Sequence, residues 1–374
     1  MTGALTFTVR WTDLPASTED LRSIGTSMKR KLVSLANAIE ALPRTVFAMG
    51  LLALALVRSG FNLFSFDWTV ATESINRFPE ATSYGSWSWG NVVLAKILGI
   101  DNQASWYALH IVLTLICLVL PLAFAGRMPR QSFYPFAIYW LLLPVVGSLL
   151  MWVGMYDVVT VIGATIVAFS RNWWQAAIGA VIWSSGNPEQ AVVGSAILLA
   201  LTFTESLRLQ RRTALVAFIS TLIGFGLSRI LITGEIAQTR SDLLRPFSDG
   251  LRELIFNWPA SVWGWNGIIW FVLLAMFLVS GRKDRFILVG ALVVVPAVSV
   301  LITYDWDRVY WLVTVAALIS LGQRYAHLLS ATSAAFSGSS SPRRALRHVG
   351  RTDGKRGFLL PYFLCWRVVA LIVR

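Results

Sequence analysis

Residues 286–322 read FILVGALVVVPAVSVLITYDWDRVYWLVTVAALISLG. Two apolar runs, 286–302 and 309–322, flank a polar turn, Thr303-Tyr304-Asp305-Trp306-Asp307-Arg308. Each run approaches the ~20 residues that carry a helix across a bilayer. The stretch therefore reads as two membrane helices meeting at one edge, with two carboxylates and a guanidinium held there. A charge at that depth is costly unless paired or wetted, so these residues are functional candidates.

Working outward, similar apolar blocks lie at 45–63, 106–125, 133–151, 158–169, 173–184, 190–204, 213–232 and 260–279, and the last run extends over 308–323. The chain has 374 residues, 56% hydrophobic and only 14% charged. This predicts an all-α, polytopic transmembrane bundle of about ten spans; a β-barrel would alternate apolar and polar residues instead. The blocks at 158–169 and 173–184 are short for a full crossing. The net charge of +13 does not point to nucleic acid, because most Lys and Arg fall in short loops and tails where they set topology. Cys117 and Cys365 both lie in apolar runs, so neither a disulfide framework nor a metal cluster is expected. The N-terminus shows no cleavable signal pattern.

Orientation follows from the loops. With the N-terminus inside, the loops 126–132, 170–172, 205–212 and 280–285 face the cytoplasm, and each is basic. The outer loops 64–105, 152–157, 185–189, 233–259 and 303–307 hold Asp67, Glu73, Glu80, Asp157, Glu189, Asp305 and Asp307. That asymmetry predicts a multi-pass protein of the cell membrane with both termini cytoplasmic. Three parts follow: 1–44, with an amphipathic helix over Leu21 to Leu42; the bundle, 45–325; and a basic tail, 326–374. The tail is rich in Ser, Gly and Arg and reads as disordered over 330–357, attracted to anionic lipid. Its apolar end, 358–373, reads as an interfacial helix or an eleventh span. In the outer loops, Trp87 to Leu98 reads as a short amphipathic stretch stopped by Gly99. Residues 240–256 read as an interfacial helix that Pro246 bends or starts.

The acids gather where outer loops meet helix ends. Asp67 follows the first span, Asp157 opens the fourth, Asn187-Pro188-Glu189 opens the sixth, and Asp305, Asp307 and Arg308 open the tenth. Arg58, Arg229 and His110 lie on the same side. Each has a structural role available. Asp157, Asn187 and Asp307 suit helix caps, Asp307 can also pair with Arg308, and Glu189 suits the positive end of a helix. Arg58 and Arg229 can snorkel, and His110 can be a hydrogen-bonded bundle histidine. Their shared side is what points to a site. Sugar transfer from a lipid phosphate needs such groups: a carboxylate takes the acceptor's proton, and arginines, or a divalent Mg or Mn ion, stabilise the departing phosphate.

The order of elements resembles the GT-C type of polytopic glycosyltransferases: a first span, a long outer loop with an early acid, then many spans with short inner loops. Residues Ala81 to Gly90, leading into Val92 to Gly99, are similar to the loop segment those enzymes place before their second span. The turn Asp305-Trp306-Asp307-Arg308-Val309 is similar to an Asp-x-x-Arg-Val turn of bacterial relatives. The resemblance implies a polyprenyl-phosphate sugar donor, a cell-envelope glycan or lipid acceptor, and Asp67 as catalytic base, with Asp305 as the second catalytic candidate. Asp157, Asn187, Glu189, Asp307, Arg308, Arg58, Arg229 and His110 are then the substrate-binding candidates. The chain differs from larger members in having no soluble C-terminal domain and no adjacent acid pair in the first loop. Competing readings are a flippase or transporter of a lipid-linked substrate, a glycan polymerase, and a non-catalytic scaffold with envelope-complex partners.

Overall fold

The computed structural model describes residues 34, 38–65, 68–81, 84–204, 207, 209–233, 245–257, 263, 267, 269–279, 281–303 and 306–337; a few side chains within these ranges, Trp306 and Asp307 among them, are not described. The N-terminal amphipathic helix expected over Leu21 to Leu42 lies almost wholly outside these residues, as do the tail beyond 337 and its apolar end.

The described chain is all helical, and a helix lies over each of the ten apolar blocks. In order they are α1 (Arg44–Ser59), α2 (Trp68–Arg77), α3 (Trp89–Ile97), α4 (Gln103–Ala125), α5 (Arg130–Leu142), α6 (Pro144–Met151), α7 (Asp157–Phe169), α8 (Trp173–Gly186), α9 (Pro188–Leu201), α10 (Arg211–Leu231), α11 (Phe247–Phe256), α12 (Ile269–Val279), α13 (Arg282–Val289), α14 (Val295–Ile302) and α15 (Trp306–Ser337). Among the described residues, three stretches are long and apolar enough to cross a membrane alone: α4, α10 and 284–301. The block 133–151 forms a bent pair, α5 and α6, meeting at 52°; counted as one span it makes four. Pro144 opens α6, and the preceding Leu143 is extended, the conformation that a following proline favours. A single π turn, Gly290–Val294, joins α13 to α14.

The last helix organises the bundle. Every residue from Tyr310 to Leu321 is buried, the state expected of a helix apolar on all sides. α6, α7, α9 and α14 pack around α15, as does α5. It continues to Ser337, so the first residues of the tail expected to be disordered are helical instead.

α7 and α8 form the tightest pair. A Cβ on Gly163 would stand 2.2 Å from the Trp183 backbone nitrogen, and one on Gly186 would stand 2.5 Å from that of Thr160. Small residues at such crossings let backbones approach closely, which is the principal source of helix association in lipid.

The outer loop 64–105 is not loose. Gly99 takes φ +64°, and the Gly99 and Ile100 amides bond to the Lys96 and Ala95 carbonyls at 3.2 and 3.0 Å. This is the expected glycine stop in Schellman form. α2 and α3 form a second core around Ile75, Val92, Ala95 and Trp106. α3 then settles on the end of α8: a Cβ on Gly90 would meet the Ser185 hydroxyl at 2.3 Å. α11 begins after Pro246, which therefore starts this helix. Gly250 lies against the Leu301 backbone, while Phe247 and Phe256 remain exposed.

These contacts explain the short blocks. α7 and α8 have 13 and 14 residues, about 20 Å at 1.5 Å per residue, against a hydrocarbon core of ~30 Å. The ~10 Å shortfall is about the thickness of one helix, and α3 lies at that place.

Gly163→Leu should separate α7 from α8 and lower stability by about 2 to 3 kcal/mol or more, as overpacked cores do. Thermal unfolding in detergent measures this; an unchanged midpoint would mean the close approach is not needed.

Candidate functional site

The carboxylate of Asp157 and the guanidinium of Arg308 form a two-pronged ion pair. Arg308 Nε donates to Oδ2 at 2.6 Å, and Nη2 donates to Oδ1 at 2.8 Å. Both side chains are mostly enclosed, 17% and 13% exposed for Arg308 and Asp157. Two parallel charge-assisted bonds give the pair fixed geometry as well as strength. Asp157 is the first residue of α7 and makes no capping bond; Tyr156 occupies the cap position. Its expected capping role is therefore replaced by the pairing with Arg308.

The pair is deeper than an outer rim. Cys117 Sγ donates to the Val158 carbonyl at 3.2 Å. Cys117 is about 20 Å from the first residue of α4, a helix about 35 Å long, so Asp157 stands about half-way down it. The backbone around this level is irregular yet satisfied. Asn62 N–H bonds to the Leu150 carbonyl at 3.0 Å, Phe64 N–H to Val153 at 2.8 Å, and Trp106 Nε1 to the Gly154 carbonyl at 3.0 Å. Non-helical chain enclosed by apolar helices needs such protein partners, or water.

At the start of α7 and at the turn between α8 and α9 lie polar atoms that the structure leaves unused. Asn91 reaches down from α3 and donates to the Tyr156 carbonyl at 2.7 Å, but its Oδ1 is buried without a partner among the described residues. The same holds for Thr160 Oγ1, Asn187 Oδ1 and Gln190 Oε1. These atoms belong to one junction. Thr160 is one turn along α7 from Asp157. Gly186 presses on Thr160, and Asn187 follows it. Gln190 is in the first turn of α9. Asn187 occupies the cap position before Pro188, as its sequence predicts, yet its side chain makes no capping bond. Buried polar atoms are almost always bonded, so four unused oxygens at one junction call for a ligand or water. Sequence reasoning missed Asn91, Thr160 and Gln190, because one polar residue in a loop or an apolar block has no signature until the helices are assembled.

The other candidates fall elsewhere. Glu189 pairs with Arg229 at 3.4 Å, and Arg229 also lies 4.3 Å from the Trp87 ring centroid. This is a second, more exposed pair, on α9 and α10. His110 is fully buried on α4; its Nδ1 is 3.0 Å from the Trp106 carbonyl, its ring centroid lies 4.1 Å from that indole at a tilt of 38°, and its Nε2 is buried without a partner among the described residues. Arg58 is exposed at the end of α1. Asp67 and Asp305 lie outside the described residues, and the Asp307 side chain is not described. Among the described residues no group of three or more His, Cys, Asp or Glu could hold a metal ion. A hollow of about 30 Å³ beside Asp157 and Arg308 is lined by Ser148, Trp152, Met155 and Trp311. That is room for a water, which needs ≳ 10–15 Å³ on the same measure.

Breaking the pair from one side leaves an uncompensated charge. Arg308→Gln and Asp157→Asn should each cost about 3 kcal/mol, and the double substitution less than the sum. A double-mutant cycle of unfolding midpoints checks this; strict additivity would show the pair to be uncoupled. Comparisons with protein-family models, with curated proteins and with solved structures found no match for this chain.

Proposed function

We propose that the chain is a multi-pass membrane protein of about ten crossings with both ends cytoplasmic. On this reading its recessed junction transfers a sugar from a polyprenyl-phosphate donor to a cell-envelope glycan or lipid acceptor. The observation that supports it is the Asp157–Arg308 fork, set about half-way down α4, with four unpartnered buried oxygens on the neighbouring helix ends. A guanidinium that fits a carboxylate with two bonds fits a phosphate in the same way.

The chemistry runs through an exchange of partners. The donor phosphate takes Arg308 from Asp157, and the hollow, now the size of a water, opens as the fork parts. The released carboxylate accepts the proton of the acceptor hydroxyl. That oxygen bonds to the anomeric carbon while the carbon–oxygen bond to phosphate breaks, and polyprenyl phosphate leaves with the electron pair, its charge facing Arg308. Sugar hydroxyls donate to the free oxygens of Asn91, Thr160, Asn187 and Gln190. The hydrocarbon tail stays in lipid. Asp67 and Asp305 remain the alternative bases that the GT-C resemblance implies.

A second reading, translocation of a lipid-linked substrate, has its own support. Broken helices and ionisable groups near mid-membrane are features of transporters. The 52° break at Leu143–Pro144 lies next to Val145 and Ser148, which line the hollow at the charged pair, and a π turn interrupts the helix at 290–294.

Proteoliposomes holding a donor labelled in its sugar distinguish the two. Transfer to acceptor should fall at least 100-fold, the low end of acid–base contributions, in Asp157→Asn and in Arg308→Gln, with Asp67→Asn and Asp305→Asn assayed beside them. Full transfer in both junction variants would remove the site. Movement of intact donor across the bilayer, with no transfer, would establish the transporter reading. The topology has a separate test. With Cys365→Ser and the buried Cys117 retained, cysteines introduced at Asn172 and at Asp249 should react with impermeant reagents from opposite faces; labelling from one face would refute the ten-span arrangement.

A further inference from the structure

At the opposite end of α7 from the Asp157–Arg308 pair, about 20 Å away, lies a second hollow that the proposed transfer does not use. It measures about 360 Å³ and opens between the ends of α4 and α7 and the start of α8. That size is within the range of small-molecule sites. Two arginines line it, Arg127 and Arg171, and no carboxylate does. Neither guanidinium forms an ion pair among the described residues. Arg127 is held 5.6 Å from the Phe124 ring centroid. Gln175 accepts from the Arg171 backbone N–H at 3.1 Å, which fixes the turn that carries the second arginine. Asn172, at the cap position of α8, makes no side-chain capping bond, so the first amides of α8 add donors at the same mouth.

The rest of the wall is apolar and faces outward. Phe124 and Phe169 stack at 5.3 Å to form the floor. Trp174 and Ile178 line the side and are 48% and 51% exposed, and Val181, one turn further along α8, is 40% exposed. Exposed large apolar side chains on a helix of a membrane bundle lie against acyl chains. A doubled positive charge at the mouth, an indole at headgroup level and a greasy track leading away match one kind of molecule.

We infer that this hollow is a binding site for an anionic glycerophospholipid. The phosphodiester is bridged by Arg127 and Arg171, the headgroup polar atoms reach Asn172 and Gln175, and one acyl chain runs along Ile178 and Val181. The site would anchor the α7–α8 hairpin, whose opposite end carries Asp157, and so hold the floor of the recessed junction at a fixed depth.

The full chain in nanodiscs tests this. Lipids retained after transfer to detergent are counted by native mass spectrometry for discs of phosphatidylglycerol and of phosphatidylcholine, with and without excess inorganic phosphate. The wild type should retain phosphatidylglycerol at least 10-fold over phosphatidylcholine, and inorganic phosphate should not displace it. Arg127→Gln with Arg171→Gln should lose at least 10-fold of that preference, while the control Arg212→Gln, at the same end of the bundle on α10, keeps it. If the double variant does not fold, as judged by its unfolding midpoint in phosphatidylcholine, each single variant should lose about 3-fold. Equal retention by wild type and arginine variants, equal loss in the control, or displacement by free phosphate would each overturn the site.

Discussion

Helices of 13 and 14 residues end beside the middle of a 23-residue neighbour, and this mismatch of lengths governs the molecule. α7, α8 and α9 all begin or end near the middle of the long helix α4 rather than beyond its end. In lipid such ends would expose backbone donors and acceptors at a cost of several kcal/mol each. The chain meets the constraint by bringing its own outer loop down onto them. α3 is one helix thick, which is the missing length, and Asn91 and Trp89 on it bond to the Tyr156 carbonyl and the Ser228 hydroxyl. A polar chamber inside an apolar bundle is thus a consequence of short helices under a folded roof.

The central helix has the converse problem. α15 is apolar on every face, so hydrophobicity alone fixes neither its rotation nor its depth. Three polar contacts do so at three levels. Arg308 grips Asp157 at the top, Tyr139 donates to the Leu318 carbonyl at 2.9 Å in the middle, and Gln323 donates to the Ala168 carbonyl at 3.0 Å near the bottom. Each would leave an unpaired polar atom if the helix slid by a turn. Selecting one register among similar packings is the best-attested role of buried polar groups.

What the sequence disclosed follows the range of the interactions involved. Apolar blocks are local, and a helix lies over each of them. The glycine stop at Gly99 is likewise local and formed as read, and of the two roles open to Pro246 the structure takes the helix start. Partner choice is not local. Arg308 stands next to Asp307 in the chain yet reaches Asp157, 151 residues away. Asn187-Pro188-Glu189 has the order of a helix start and is one, but the Asn187 oxygen is left unused and Glu189 turns to Arg229. Depth was also hidden: loops between apolar blocks read as lying at the surface, whereas 152–157 sits beside the middle of α4.

The register contacts bear on which of them can be spared. Tyr139 and Gln323 bond to backbone carbonyls, which no substrate can replace without unwinding a helix. The Arg308–Asp157 fork joins two side chains of opposite charge, and in the proposed transfer a donor phosphate would offer Arg308 the same two bonds while freeing the carboxylate. The upper contact is therefore the one whose loss a ligand can offset, and the lower two keep α15 in place while it opens.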